Sequence, residues 1–400
     1  MQEFIGPLVL TDSGIRFEFI KTKGIYVYKD KVYMLGYREQ WADWGSEEDD
    51  IEDLCVFRIN LNLDINSFEE LLIKPSTVVQ AVPQIVVYQD TIYMAYFQYT
   101  GGQTNFYTAT MDLDGSNFLE TLRIEDTQNW GVYSTLDLEN GNIWYSWMEF
   151  DQIIESADYY HHGAHVYQLL YDTSNDSLTF FQREPIILTS TPMERYGYHD
   201  IEYKNGKVYI IWKALPDVHA DYYQLYLGKC NFDGTDWAFS QITSDEINNA
   251  HPRIAVTDDH VYFSYVYYVT LARTDTNFDN FEILFQDEDV APGRMIPIAA
   301  RGNCIHGAFS LWDSEVSGYV LYTFDYDINS GQYEMIQRIT ENNAPENVYV
   351  NVRSYEFAIT LTGDVYYLLV RFDDEIGVAA LKHMLQSKCV PFLFKVPYLE

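Results

Sequence analysis

The chain has 400 residues, 47% apolar and 16% aromatic, which suffices for a sizeable core and is far too aromatic for a disordered segment. Sixty acidic side chains against 25 basic ones give a formal charge of −35. Nucleic acid is thereby excluded as a partner, because Lys and Arg drive phosphate recognition and this chain would repel it.

At the amino end, Met1-Gln2-Glu3-Phe4-Ile5-Gly6-Pro7 lacks a basic start and an apolar core, so no secretory signal is expected. A cytoplasmic location is expected, or a virion if the chain is viral. No run reaches the roughly 18 uncharged apolar residues of a membrane span, so membrane insertion is not expected. The apolar segment 15–20 reads as a strand able to close a sheet array from its free end.

Downstream, a four-residue signature recurs: a turn former, any residue, a β-branched residue, then an aromatic. It reads Asp30-Lys31-Val32-Tyr33, Asp90-Thr91-Ile92-Tyr93, Gly141-Asn142-Ile143-Trp144, Gly206-Lys207-Val208-Tyr209, Asp259-His260-Val261-Tyr262 and Gly363-Asp364-Val365-Tyr366, with a weaker copy at Asn303-Cys304-Ile305-His306. The copies lie 44 to 65 residues apart, the range of four-stranded propeller blades. The fourth copy shows the grammar best. His199–Tyr203 alternates, Asn205-Gly206 centres a hairpin, and Val208–Trp212 is an apolar run suited to a strand covered on both faces. A long polar loop leads to Tyr222–Lys229, and a tight turn leads to Trp237–Thr243.

That last turn recurs at Asn62–Phe68, Asp112–Phe118, Asp275–Phe281 and Asp325–Gly331, built from Asp, Asn and Gly. Phe68–Leu72 and Val378–Leu385 read as strands or turns before helices, and Gln386–Glu400 fits no blade. The expected fold is all-β: a single seven-bladed β-propeller of four-stranded antiparallel blades, with six blades as the alternative. One domain spans residues 1–400. Its blades fall near 21–75, 76–125, 126–190, 191–245, 246–290, 291–342 and 343–400, and strand 15–20 closes the ring. Cys55, Cys230, Cys304 and Cys389 lie far apart without metal-ligand spacing and read as free, mostly buried thiols.

The pattern resembles the sialidase-like (BNR or Asp-box) propellers, whose box is Ser/Thr-x-Asp-x-Gly-x-Thr-Trp. Cys230-Asn231-Phe232-Asp233-Gly234-Thr235-Asp236-Trp237 keeps the Gly and Trp in register, with Cys for Ser/Thr, Phe for the box Asp and Asp for the Thr. The resemblance covers residues 24–385 at the level of pattern. It implies a carboxylate clamp of Arg195, Arg253 and Arg353, a nucleophile pair of Tyr198 and Glu194, and an acid such as Asp200.

In a propeller, the loops between blades and those between second and third strands share one face, where ligands bind. The residues expected there are Trp41, Trp44, Trp130, Tyr133, Arg195, Tyr198, His199, His251, Arg253 and Arg353, with the acidic run Glu47–Asp50 and the loop residues Tyr159, Tyr160, His161, His162 and His165. Aromatics flanked by charges suit a glycan or a protein partner, within a larger assembly if the chain is a virion component. The histidines read as solvated loop residues. No cofactor is expected, although the Asp112-x-Asp114 turn offers carboxylates of the kind Ca²⁺ takes. The favoured function is a non-enzymatic binding or structural propeller. The alternative is a carbohydrate-active enzyme, a sialidase-like hydrolase or a polysaccharide lyase.

Overall fold

The computed structural model is all-β and describes residues 4–9, 25–40, 51–62, 64–74, 78–100, 103–124, 133–139, 141–150, 154–156, 159–172, 177–179, 186–193, 199–216, 220–232, 235–287, 296–301, 303–314, 318–338, 352–362, 365–372 and 378–384. Five blades are regular antiparallel meanders in which each strand pairs with the next in the chain. Blade 1 comprises Ile25–Tyr28, Lys31–Gln40, Ile51–Asn60 and Glu69–Lys74; blade 2, Val78–Tyr88, Thr91–Thr100, Gln103–Asp112 and Leu119–Ile124. Blade 3 comprises His199–Lys204, Lys207–Ala214, Gln224–Asn231 and Ala238–Gln241; blade 4, Ala250–Val256, His260–Val266, Val269–Asp275 and Glu282–Asp287. Blade 5 comprises Ile298–Arg301, Cys304–Asp313, Gly318–Asp327 and Gln332–Arg338.

Two other sheets break this rule. Between blades 2 and 3 lies a six-stranded sheet in which the 14-residue strand Tyr159–Asp172 pairs with Asn142–Phe150, Ile154–Ser156, Ser177–Thr179 and Ile186–Met193. The last sheet, Val352–Thr362, Val365–Phe372 and Val378–Met384, takes its fourth strand, Phe4–Val9, from the other end of the chain. The expectation of seven, or six, uniform four-stranded blades is therefore corrected to five. The physical reason is the long third strand of the wide sheet, which outruns its neighbour and recruits short strands along its free edge. First strands of successive sheets touch one another, and that of the last touches that of blade 1, so the array closes into a β-propeller. Closure runs from Phe4↔His383 to Val9↔Ala379 and covers an otherwise open edge; segment 15–20 lies outside the described residues.

Local chemistry explains the repeat. In blade 3, Asn205 and Gly206 both take positive φ (51° and 75°), the twist a two-residue hairpin needs. The lysine that opens the second strand, Lys31 or Lys207, donates across the sheet to the asparagine ending the third, Asn60 or Asn231. In the following turns, Asp112 Oδ2 accepts from Asn117 Nδ2 at 2.6 Å and Asp275 Oδ2 from Asn280 Nδ2 at 2.5 Å. Blade 3 reverses the roles, with Asn231 Nδ2 donating to Asp236 Oδ2 at 2.7 Å. The box-like stretch thus carries a related turn on a different donor, and its Trp237 stacks on Trp212 with centroids 6.0 Å apart.

The core lies between sheets. Val208, Ile210 and Trp212 pack with Trp144 of the wide sheet, while Tyr209 and Ile211 pack with Ile254 and Phe263 of blade 4. Alternate residues of one strand thus serve opposite neighbours, which is why Val208–Trp212 is apolar throughout. One loop expectation is corrected: Tyr159, Tyr160, His161, His162 and His165 belong to a strand. Phe68–Leu72 follows a short 3₁₀ turn, Ile65–Ser67, and continues as strand. Cys55 and Cys230 are free and buried, but Cys304 is disulfide-bonded, correcting the free-thiol reading at that position: separation along the chain says nothing of apposition in space. Among the described residues, no helix is long and apolar enough to cross a membrane.

Candidate functional site

Each inner strand begins, each second strand ends and each third strand begins at one rim. In blades 3 and 4 this rim gathers polar side chains. Counting four residues back from the last residue before the hairpin (Tyr88, Lys204, Thr257) reaches Gln84, Asp200 and Arg253 in blades 2, 3 and 4. These pair with Ala95, Ile211 and Ser264 at one common level. All three are buried. His199 and Lys213 are buried beside them, at the start and the end of adjacent strands of blade 3.

Asp200 has a definite task. Its Oδ1 accepts the Ile201 N–H at 3.0 Å and its Oδ2 accepts the Ile254 N–H of blade 4 at 3.1 Å. A carboxylate so engaged clasps two blades together and is poorly placed to donate a proton. Arg253 Nη1 donates to the Pro252 carbonyl at 2.8 Å. Between Ala250 and Arg253 the strand register shifts, and His251 within this bulge has φ 50°. Bulges beside sites re-aim a side chain, and a non-glycine residue in the left-handed region persists only where its surroundings impose it.

The connection from blade 3 to blade 4 carries a polar network. Thr243 Oγ1 donates to Gln224 Oε1 at 2.8 Å and accepts the Leu225 N–H at 2.9 Å. Gln224 Nε2 donates to the Asp245 carbonyl at 2.8 Å, and fully buried Asn249 gives Nδ2 to Asp245 Oδ1 at 2.6 Å. Burial, with the Asp245 charge adding to it, pushes the Tyr265 hydroxyl up to about 12, so it stays protonated. Lys213 Nζ lies 4.6 Å from the centroid of the Tyr223 ring.

Of the residues expected from the sequence, His199, Asp200, His251 and Arg253 lie at this rim. Trp41, Trp44, Trp130, Glu194, Arg195 and Tyr198 lie outside the described residues, as does the run Glu47–Asp50. Tyr133 opens the first strand of the wide sheet and Arg353 lies near the start of the first strand of the closing sheet. Sequence reasoning missed Lys213, Gln224 and Asn249. Lys213 had a signal: it is the first charge after the apolar run Val208–Trp212. At the opposite end of the blades, the Asp112 and Asp114 carboxylates are engaged within their turn. Hydrogen bonds from the Ser116 side chain and backbone hold the Asp114 carboxyl below its ordinary value. Among the described residues, no group of three or more His, Cys, Asp or Glu side chains is arranged to hold a metal.

No protein-family model matches the chain, and no curated protein matches it. Its backbone is similar to that of a polysaccharide lyase, Uly1, with a TM-score of 0.54, 11% identity, and coverage of 91% of this chain and 90% of that one. The β-propeller domain of the trilobed protease from Pyrococcus furiosus matches with a TM-score of 0.48, 10% identity, and coverage of 95% and 100%. A Trypanosoma rangeli sialidase matches at 0.45, with 11% identity, 82% of this chain and 56% of that one. At such identities the likeness is one of fold: the chain is a β-propeller, and no family model supports the Asp box.

Proposed function

We propose that this propeller is a carbohydrate-active enzyme that cleaves an acidic polysaccharide by β-elimination at the rim of blades 3 and 4. One observation carries the reading. Lys213, Arg253, His199 and His251 all stand at the strand ends of this one rim, while Asp200 at the same level accepts backbone N–H groups. Elimination from a uronate needs positive charge near the sugar carboxylate and a base for the adjacent proton. Hydrolysis instead needs two available carboxylates about 5–10 Å apart. The fold shared with a polysaccharide lyase over nine-tenths of both chains supports this reading.

The roles follow from exposure. Arg253 and Lys213, 3% and 5% exposed, supply a fixed positive potential from beneath the rim, in surroundings where charge is weakly screened. His251 is the more open group and is the base. Its ring nitrogen takes the C5 proton of the uronate; the C5–H electrons form the C4–C5 double bond; the C4–O bond breaks, and the departing oxygen is protonated by water. A lectin-like reading, binding without turnover, draws on the burial of the same cations.

The test is incubation with a panel of uronate polysaccharides, following both the ultraviolet absorbance of the new double bond and the release of reducing ends. Absorbance that rises with wild type and is lost in His251→Ala supports elimination. Reducing ends without absorbance make the protein a hydrolase, and binding with neither product makes it a lectin. Either result overturns the proposal.

A further inference from the structure

Tyr-Tyr dipeptides occur in three neighbouring sheets, and in blades 3 and 4 they take matching positions on the rim that carries the proposed site. Tyr222-Tyr223 leads into the third strand of blade 3, Tyr267-Tyr268 is the turn between the second and third strands of blade 4, and Tyr159-Tyr160 opens the long strand of the wide sheet. In blades 3 and 4 the first ring of the pair is open, Tyr222 at 39% and Tyr267 at 47%, while the second is half-buried.

In blade 3 the second tyrosine of the pair is anchored. The Tyr223 N–H donates to Asn248 Oδ1 at 3.0 Å, its carbonyl accepts the Asn249 N–H at 3.2 Å, and its ring lies against Lys213. Tyr268 meets Tyr267 edge-on, with centroids 4.9 Å apart at 87°. The segment Thr243–Asn249 links the two pairs. It hydrogen-bonds to Tyr223 at one end, and the Asp245 charge reaches Tyr265 near the other turn. Open rings on a fixed base lose little freedom when a ligand covers them.

We infer that this arc is a docking track for the polysaccharide chain, its tyrosines stacking on the apolar faces of successive sugar rings outside the cleavage site. The inference deepens the proposed function and rests on its polysaccharide substrate. A sugar chain fits better than a protein surface because the open rings are separate. They stand on neighbouring turns with the polar Ser244, Asp245 and Asn248 between them, whereas protein partners are met by contiguous apolar patches. Of the large exposed apolar side chains, Leu119, Phe239, Phe281 and Ile283 lie on or beside outer strands, away from this rim.

The test is affinity electrophoresis through gels containing acidic or neutral polysaccharides, with wild type, Tyr222→Ala/Tyr267→Ala and Tyr222→Phe/Tyr267→Phe. Thermal unfolding first establishes that the variants fold. The track predicts retention of wild type, about tenfold or greater weakening in the Ala variant, and near-complete retention in the Phe variant, which keeps the ring. Equal retention of wild type and Ala variant overturns the track, as does failure of wild type to bind any polysaccharide. A wild-type dimer that the Ala substitutions dissociate also overturns it, in favour of a second copy of this chain. Retention that depends on the rings but without cleavage leaves the track standing and removes the elimination proposal.

Discussion

Replacing Asp200 by Ala tests the clasp between blades 3 and 4. The change removes a buried acceptor that holds the Ile201 N–H at 3.0 Å and the Ile254 N–H at 3.1 Å. The bond to Ile201 is local, and that amide can turn to water as neighbouring groups relax. The bond to Ile254 crosses to another blade at a buried position, where an orphaned donor costs about 1–3 kcal/mol and a charge-assisted bond is worth about 1.5–3 kcal/mol. A loss of about 2–4 kcal/mol follows. At about 2.1 cal/mol/K per residue, a chain of 400 residues has an unfolding entropy near 0.8 kcal/mol/K, so the midpoint falls by about 2–5 °C. Differential scanning calorimetry reads the shift, and hydrogen exchange at the Ile254 amide reads its location. Asp200→Asn is expected to lie close to Ala, because its amide can present a donor to a donor. Stability within about 0.5 kcal/mol of wild type, with unchanged Ile254 protection, would refute the clasp.

Three further outcomes are expected. At Gly228, an added Cβ would stand 2.8 Å from Trp237 Cζ2 and 2.9 Å from Cζ3, so Gly228→Ala should cost about 1–3 kcal/mol and displace the indole, read by denaturant titration and tryptophan fluorescence. The Asp275 carboxyl is held below its ordinary value by the backbone N–H of Asp279 and the side chain of Asn280. A depressed carboxylate stabilises the fold above its unfolded pKa and loses that contribution as pH falls through the folded one, so Asp275→Asn should flatten the pH dependence of the unfolding midpoint below about pH 4. Cleavage of an acidic polysaccharide should accelerate as salt rises from low concentration, because chain and substrate repel one another; a monotonic fall would contradict that balance.

The sequence and the fold agree most closely where the chemistry is local. The signature residues Val32, Ile92, Val208, Val261 and Ile305 all sit at the head of a second strand, because a tight hairpin and a doubly covered strand both write themselves into adjacent residues. The Asp and Asn turns were legible for the same reason. The wide sheet was not, since nothing in Tyr159–Asp172 announces that its free edge collects Ser177–Thr179 and Ile186–Met193. Nor was the closing strand, where Phe4–Val9 does its work through register with residues near the far end of the chain. The site divides in the same way. His199, His251 and Arg253 stand out as polar residues where apolar ones were due. The role of Asp200 depends on the Ile254 amide, which is 54 residues away and visible only once two blades lie side by side.

The electrostatics of the rim follow from where the charges sit rather than from how many there are. A surface charge of −35 acts through water and salt, and beyond about 8 Å at physiological ionic strength it is largely screened. Lys213 and Arg253 are shielded from that solvent by burial, so their fields reach a bound group with little attenuation. Under the proposed function, a polyanionic substrate meets weak repulsion at a distance and attraction at the rim of blades 3 and 4. Their burial also makes the two cations inseparable from the fold. Removing either charge is expected to disturb the packing of its blade as well as binding, so a ligand-independent loss of stability should accompany any loss of affinity.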